Sequence, residues 1–411
     1  MPSDRRPLRM LGAILATALM LRLVAIAGDT AFSMLATPDI AESHHERALA
    51  LAQGWLDGRF APLSELGPAE RNTDLMRTLV AYALGPFYFV LSPITGSSLV
   101  PGRIAIAVYS LGLVPLVYAL AQECYLSTRL ALLAAAITVF WPGVVYRSVV
   151  IQREMIVALA TLAIVWIAVQ WAQSFDMDGG TVAIAANGGI GIAAGMVLFV
   201  IRPENLLIII AVIVVATAVR YREDVRSLVA TGVVVLVGGV VAVTNIEAFV
   251  GRLARKHGFS VSLFDSFAHA RAHGDSAYLT WLHYESWLDI AVFAPLKVIY
   301  FLGSPLPWNV SGVSSLLAGI SGWALIILTV LTGYNIAGAV RGDRERIAGG
   351  PDWRTVAVLI TFLVVGITAY AIIEMNGGAA FRRRITFVPV LAILAAPVIA
   401  EVGSGETRAI W

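Results

Sequence analysis

Hydrophobic residues in this chain gather into long unbroken runs instead of alternating with polar positions. The runs fall at 8–28, 101–122, 130–146, 154–172, 184–201, 206–219, 229–247, 314–340, 355–373 and 386–401. Most reach the roughly 17–25 residues that cross a hydrocarbon core of about 30 Å. A helix satisfies its backbone donors and acceptors internally, so such runs predict about ten transmembrane helices. Two further apolar stretches, 75–92 and 287–303, are interrupted by Pro86, Pro93 and Pro295 and read as short spans or as helices lying in the interface. The stretch "HHERALALAQGWLDGRF" (44–60) is too short to span. Leu49, Ala52 and Leu56 form a stripe, flanked by Ala48, Leu51 and Trp55, that predicts an amphipathic helix flat on the membrane.

Composition agrees with that pattern. Only 14% of the 411 residues are charged and the mean hydropathy is +0.81, whereas soluble proteins carry about 25% charge. The fold class is therefore an all-α polytopic membrane protein, with 1–411 as a single integral membrane domain. A net charge of +2 gives no basis for a nucleic-acid partner, and a lone Cys124 excludes an internal disulfide or a CxxC site. The N-terminus has signal-like features, with Ala25-Ile26-Ala27 as a cleavage-like site, but its apolar stretch is long and Arg22 interrupts it. It reads as a first transmembrane helix.

Charge in the short loops predicts the orientation. Arg5, Arg6 and Arg9 put the N-terminus in the cytoplasm, and "RYREDVR" (220–226) and "RGDRERIAGGPDWR" (341–354) follow it there if each run crosses once. Two long segments, 29–100 and 248–313, are then external, and so is "EMNGGAAFRRR" (374–384). Arg382, Arg383 and Arg384 thus break the positive-inside rule.

Ionisable groups beside apolar runs are costly and point to function. The predicted outer face collects Asp39, Glu42, His44, His45, Glu46, Arg103, Arg147, Arg153, Glu154, Arg202, Glu204, Glu374 and Arg382 to Arg384. Of the 29 basic residues, 27 are arginine. Guanidinium forks match phosphate oxygens, and a carboxylate held among them suits a general base acting on a hydroxyl. Each residue also has a plainer reading. Asp39 suits a helix N-cap, Glu42 and Glu46 a solvated face, Arg153 with Glu154 an ion pair at a helix start, and Arg202 a turn before Pro203. Adjacent histidines diverge on a helix, so His44 and His45 read as surface residues rather than metal ligands. No EF-hand, HExxH or DxD-like signature stands where it would help, and a divalent metal stays open as a cofactor.

The order of several motifs resembles the GT-C glycosyltransferases, close to glycosyltransferase family 39, which includes protein O-mannosyltransferases and lipid A aminoarabinose transferases. The resembling pieces are "TPDIAESHHERALALAQGWLDGRF", "LVPGRIAIAVYSLGLVPLVYALAQ", "WPGVVYRSVVIQREMIVALATLAI", "FLGSPLPWNV" and "MNGGAAFRRRITFVPVLAILAA". Together they cover nearly the whole chain. The resemblance implies a plasma-membrane enzyme that transfers a sugar from a polyprenyl-phosphate donor, with inversion, to a lipid, glycan or protein acceptor on the extracytoplasmic side. Arg103 matches a recurrent arginine of the family. Asp39, whose "PD" opens the motif as in relatives, would be the base, with Glu42 or Glu46 as alternatives. Glu154 would be a second acid, and Arg103, Arg153, Arg202, Glu374 and Arg382 to Arg384 would hold the substrate. One departure stands out: counting back from Gly58, the family's acidic pair falls on His44-His45.

Two other classes compete with the enzyme. A transporter or flippase of a lipid-linked sugar or other anion would show inverted repeats and charges near the midplane, and the sequence shows neither. A non-catalytic assembly component would not need the clustered acids.

Overall fold

The computed structural model describes residues 6–32, 39–59, 72–173, 180–222, 260–274, 276–310, 312–341 and 352–403. Among them every extended element is a helix, apart from an isolated bridge between Ala277 and Asn376. Ten helices run from α1 (Arg6–Phe32) and α2 (Asp39–Leu56) through α3 (Asn72–Thr95), α4 (Val100–Leu111), α5 (Leu113–Tyr125), α6 (Thr128–Val139), α7 (Pro142–Ser148), α8 (Glu154–Ala172), α9 (Gly180–Ile201) and α10 (Pro203–Arg220). Six follow: α11 (Val261–Arg271), α12 (Trp287–Gly303), α13 (Val313–Val340), α14 (Trp353–Ile373), α15 (Gly377–Arg384) and α16 (Val388–Gly403). By length and composition, seven of the described helical stretches can cross a membrane, or nine if two bent pairs each count as a span. The chain is a multi-pass helical membrane protein. The run at 229–247 lies outside the described residues.

The bent pairs break where the sequence permits. The α6–α7 pair turns by 56° at Trp141, where Pro142 takes the first position of α7 and needs no donor there. The α15–α16 pair turns by 66° just after the arginine triplet. Inside α1, Arg22 is wholly buried and donates to Ser110 Oγ (2.8 Å), Ala18 O (2.9 Å) and Val139 O (3.1 Å). One guanidinium thereby satisfies polar groups of α1, α4 and α6, and this makes it tolerable within an apolar span.

Helix ends sort into two faces. On one, Asp352 N donates to Cys124 O, Gln173 reaches Glu123 O and Asp352, and Arg220 reaches Trp171 O. Arg6, Arg129 and Gly403 share a mostly apolar groove of about 730 Å³ at this end. The other face carries Asp29, Arg103, Glu154, Arg202 and Glu374. The N-terminus thus shares a face with the 220 and 352 turns, as the alternation of spans requires.

The helix α3 corrects what its composition alone would say. It is apolar and 24 residues long, yet Met76 near its start meets Arg153, and Tyr88 sits beside Gly102. Arg153 and Gly102 both belong to the Arg103 face, so α3 runs along that face and does not cross the bundle. A Cβ on Gly102 would lie 2.7 Å from the Tyr88 hydroxyl, so glycine is what admits this ring. The helix α2 packs on α3 with Leu51 and Trp55 against Gly85. Its buried stripe is Ala41, His44, Ala48, Leu51 and Ala52, while Leu56 is exposed. The apolar stripe predicted from sequence is therefore rotated, and His44 belongs to its buried side.

The second long segment is stitched to the same face. Tyr278 N donates to Met375 O (2.9 Å), Gly377 N to Ser276 O (2.8 Å), and Tyr284 Oη to Ile372 O (2.9 Å). Lys297, fully buried in α12, donates to Glu374 O at 2.9 Å. These bonds fix the backbone from which the arginine triplet projects.

Candidate anion-binding site

A cavity of about 130 Å³ opens on this face, lined by His44, Gln152, Arg153, Glu154, Arg202, Ala379, Arg382 and Arg383. Residues from four separate stretches meet here, His44 from within α2 and the others from at or near helix ends. Arg153 caps the start of α8 and Glu154 is its first residue, where a carboxylate also favours the helix dipole. Arg202 precedes Pro203 in the break between α9 and α10. Asn376 caps α15 by accepting from Ala379 N (3.1 Å), and its amide donates to His273 O (2.7 Å).

The four arginines of the cavity fall into two kinds. Arg202 is held between carboxylates, 3.1 Å from Glu154 Oε1 and 3.2 Å from Glu204 Oε1. Arg383 lies 2.6 Å from Glu374 Oε2 and over the Tyr370 ring at 4.9 Å. Tyr370 in turn donates to Asn205, so this pair is braced from α10. The second kind is Arg153 and Arg382. Arg153 contacts the sulfur of Met76, and Arg382 has no carboxylate partner among the described residues. Burial pushes Arg153 down to about 10, which leaves it protonated at neutral pH. Two guanidinium groups without a direct ion pair therefore face one small cavity, with the Glu154 carboxylate in the same lining.

His44 adds a neutral donor. Its side chain is wholly buried and neither ring nitrogen has a hydrogen-bond partner. Burial, aided by Arg153, pushes its pKa down to about 4, so the ring is uncharged at neutral pH. A buried ring with two unsatisfied nitrogens is costly unless a ligand or water completes it. Beside it, His45 Nδ1 lies 2.6 Å from the Tyr88 hydroxyl. Arg147, behind the cavity, bonds Gln152 Oε1 (2.7 Å) and stacks its guanidinium over Phe381 at 4.6 Å.

Glu154, Arg153, Arg202, Arg382 and Arg383 converge on the cavity, with Glu374 directly behind. Arg103 does not line it and lies 2.6 Å from Asp29, a buried pair that joins α4 to α1. Arg384 is a correction. It is 2% exposed and donates to Leu302 O (2.6 Å), Phe301 O (3.4 Å) and Ala318 O (3.1 Å), all within the protein. A Cβ on Gly322 would lie 2.5 Å from its Nη1, so that glycine makes its room. Its task is to tie α12 and α13 to the triplet, not to hold an external phosphate. Glu42 and Glu46 are exposed, on the side of α2 away from His44. Asp39 opens α2, and its side chain lies outside the described residues.

Reading His44 as a surface residue is also corrected. The signal that could have found it is its spacing from Ala41, Ala48 and Leu51, which puts it on one helical face with them. Gln152 and Ala379 carried no such signal. No family model matches the chain, and comparison with curated proteins and with solved structures gave no match either.

Proposed function

We propose that the chain is a membrane glycosyltransferase of the GT-C kind, taking a sugar from a polyprenyl-phosphate donor on the extracytoplasmic side of the plasma membrane. The observation that carries this reading is the pair Arg153 and Arg382, two guanidinium groups without carboxylate partners at one small cavity of a membrane protein. Their forks can each take two phosphate oxygens, and His44 can donate a further hydrogen bond. Space of about 130 Å³ corresponds to roughly four waters, which suits a single phosphoryl group with its sugar and lipid lying outside.

In the proposed reaction the acceptor hydroxyl oxygen attacks the anomeric carbon from the side opposite the phosphate. The bond from that carbon to the phosphate oxygen breaks, and its electron pair leaves on the phosphate. The hydroxyl proton passes to a carboxylate, with Asp39 as the assigned base and Glu154 as the acid nearest the phosphate. Arg153 and Arg382 would stabilise the charge growing on the departing phosphate, a term worth several kcal/mol at a water-poor site. Arg202 holds the Glu154 carboxylate in place at 3.1 Å.

The test uses the full-length protein in nanodiscs with a panel of polyprenyl-phosphate sugars, reading release of polyprenyl phosphate. Turnover is expected with at least one donor and should fall by about 10²–10⁴-fold in Asp39→Asn with the protein still folded. If polyprenyl phosphate neither binds nor is released from any donor, the reading fails. Full activity in Asp39→Asn would reassign the base.

A further inference from the structure

Away from the cavity, α11 and the segment before α12 bring together three side chains that the proposed reaction does not use. Asp265 and His269 stand one helical turn apart on α11, and His283 approaches from the following loop. One ligand atom from each residue lies within 4.8 Å of the others. His283 Nδ1 is 3.5 Å from Asp265 Oδ2, and the two imidazole rings are stacked face to face, 4.1 Å apart with planes 6° from parallel, so one ring turns for both to share an ion.

We infer that Asp265, His269 and His283 form a binding site for a divalent transition-metal ion of the zinc class. Zinc bonds of about 2.0–2.1 Å place neighbouring tetrahedral ligand atoms roughly 3.4 Å apart, close to the His283–Asp265 separation. Side-chain rotation closes the wider gaps. Two imidazoles with one carboxylate favour a borderline nitrogen-seeking ion over magnesium or calcium, which prefer all-oxygen shells. The supporting contacts match those of metal sites. Tyr284 N donates to Asp265 Oδ1 at 2.9 Å and so aims the carboxylate. His269 Nδ1 is 3.0 Å from Asp265 O; a proton held there leaves the lone pair on Nε2. That Nε2 is buried and has no hydrogen-bond partner. The ring nitrogen nearest the carboxylate is Nδ1, 3.4 Å from Asp265 Oδ1, and either nitrogen of a neutral imidazole can take a metal once the other carries the proton.

The ion would have a structural effect on the neighbouring site. Tyr284, next to His283, bonds Ile372 O, and His273 O accepts from Asn376, so the loop joining the ligands is tied to the backbone around Glu374. Zinc would clamp this loop against α11 and hold the strip from which Arg382 and Arg383 project. Three protein ligands leave a fourth position for water. The inference stands apart from the glycosyltransferase reading, because it needs neither a donor lipid nor turnover.

The experiment uses the full-length protein without a polyhistidine tag, stripped with EDTA and titrated with zinc sulfate by calorimetry. One zinc per chain is expected to bind, and the melting temperature should rise on zinc addition and fall back with EDTA. Asp265→Asn, His269→Ala and His283→Ala should each weaken zinc binding at least about 10-fold, while His273→Ala keeps the parent affinity. If a ligand variant fails to fold, the EDTA-reversible shift of the parent protein decides. Absence of zinc binding or of that shift overturns the site, as does equal weakening in His273→Ala or parent affinity in all three ligand variants.

Discussion

Arg383 Nη1 lies 2.6 Å from Glu374 Oε2, with the carboxylate fully buried, whereas its neighbour Arg382 meets no carboxylate among the described residues. Consecutive helical side chains point about 100° apart, so three adjacent arginines must go to three places. One is paired with an acid, one faces the cavity, and Arg384 is spent on backbone carbonyls.

That division predicts different outcomes for the same substitution. Arg382→Lys and Arg153→Lys keep the charge but lose the bidentate fork, and each should weaken polyprenyl-phosphate binding about 10-fold without changing the melting temperature. Arg384→Lys should lower the melting temperature, since one ammonium cannot reproduce the fork that reaches both α12 and α13. Lipid binding and thermal unfolding of the three purified variants check this. Parent-like binding in both Arg153→Lys and Arg382→Lys would end the phosphate-clamp assignment.

Neutralising Glu374 leaves Arg383 as an uncompensated buried cation. Glu374→Gln should cost about 3–5 kcal/mol of stability, the usual result of breaking a buried pair from one side. Adding Arg383→Met should restore part of that loss. Denaturant titration of the two singles and the double variant measures the coupling, and strictly additive losses would count against a direct pair.

His44 gives a pH dependence with a definite sign. Its folded pKa, about 4, lies below the ordinary histidine value of 6.5. Above about pH 6.5 the ring is neutral in both folded and unfolded chains and contributes no slope. As pH falls from 6.5 towards 4 the unfolded chain binds a proton that the folded one refuses, so stability declines across that window and levels off below it. The groups facing His44 are Arg153, Glu154, Arg77 and Arg47, with Arg202, Arg382 and Arg383 across the cavity. His44→Gln should flatten the decline relative to the parent in melting curves between pH 7 and 4. Superimposable pH profiles would show that the ring titrates normally.

The two-faced arrangement predicts a labelling pattern. In a Cys124→Ser background, Glu46→Cys and Trp281→Cys should react with an impermeant thiol reagent from one side of the membrane, and Arg341→Cys only from the other. All three positions are exposed. The positive-inside reading adds that the first two face outward. Labelling of Glu46→Cys and Trp281→Cys from opposite sides would refute the shared face.

Sequence alone determined the membrane class, because span-length apolar runs leave the backbone no alternative to helices in hydrocarbon. It also determined the angular divergence of Arg382, Arg383 and Arg384, whereas the apolar run at 130–146, continuous in sequence, is bent at Trp141 in the fold. The tertiary structure decided what depends on partners distant in the chain. Composition made α3 a possible span, and contacts of Met76 with Arg153 and of Tyr88 beside Gly102 laid it along one face. The order of the triplet said nothing about which arginine would meet Glu374 and which the carbonyls of Phe301 and Leu302. His44 changed most: polar by residue type, it was drawn inside because α2 buries the face it shares with Ala41, Ala48 and Leu51. Desolvation then kept its ring neutral beside Arg153, an effect of surroundings that no short stretch of sequence contains.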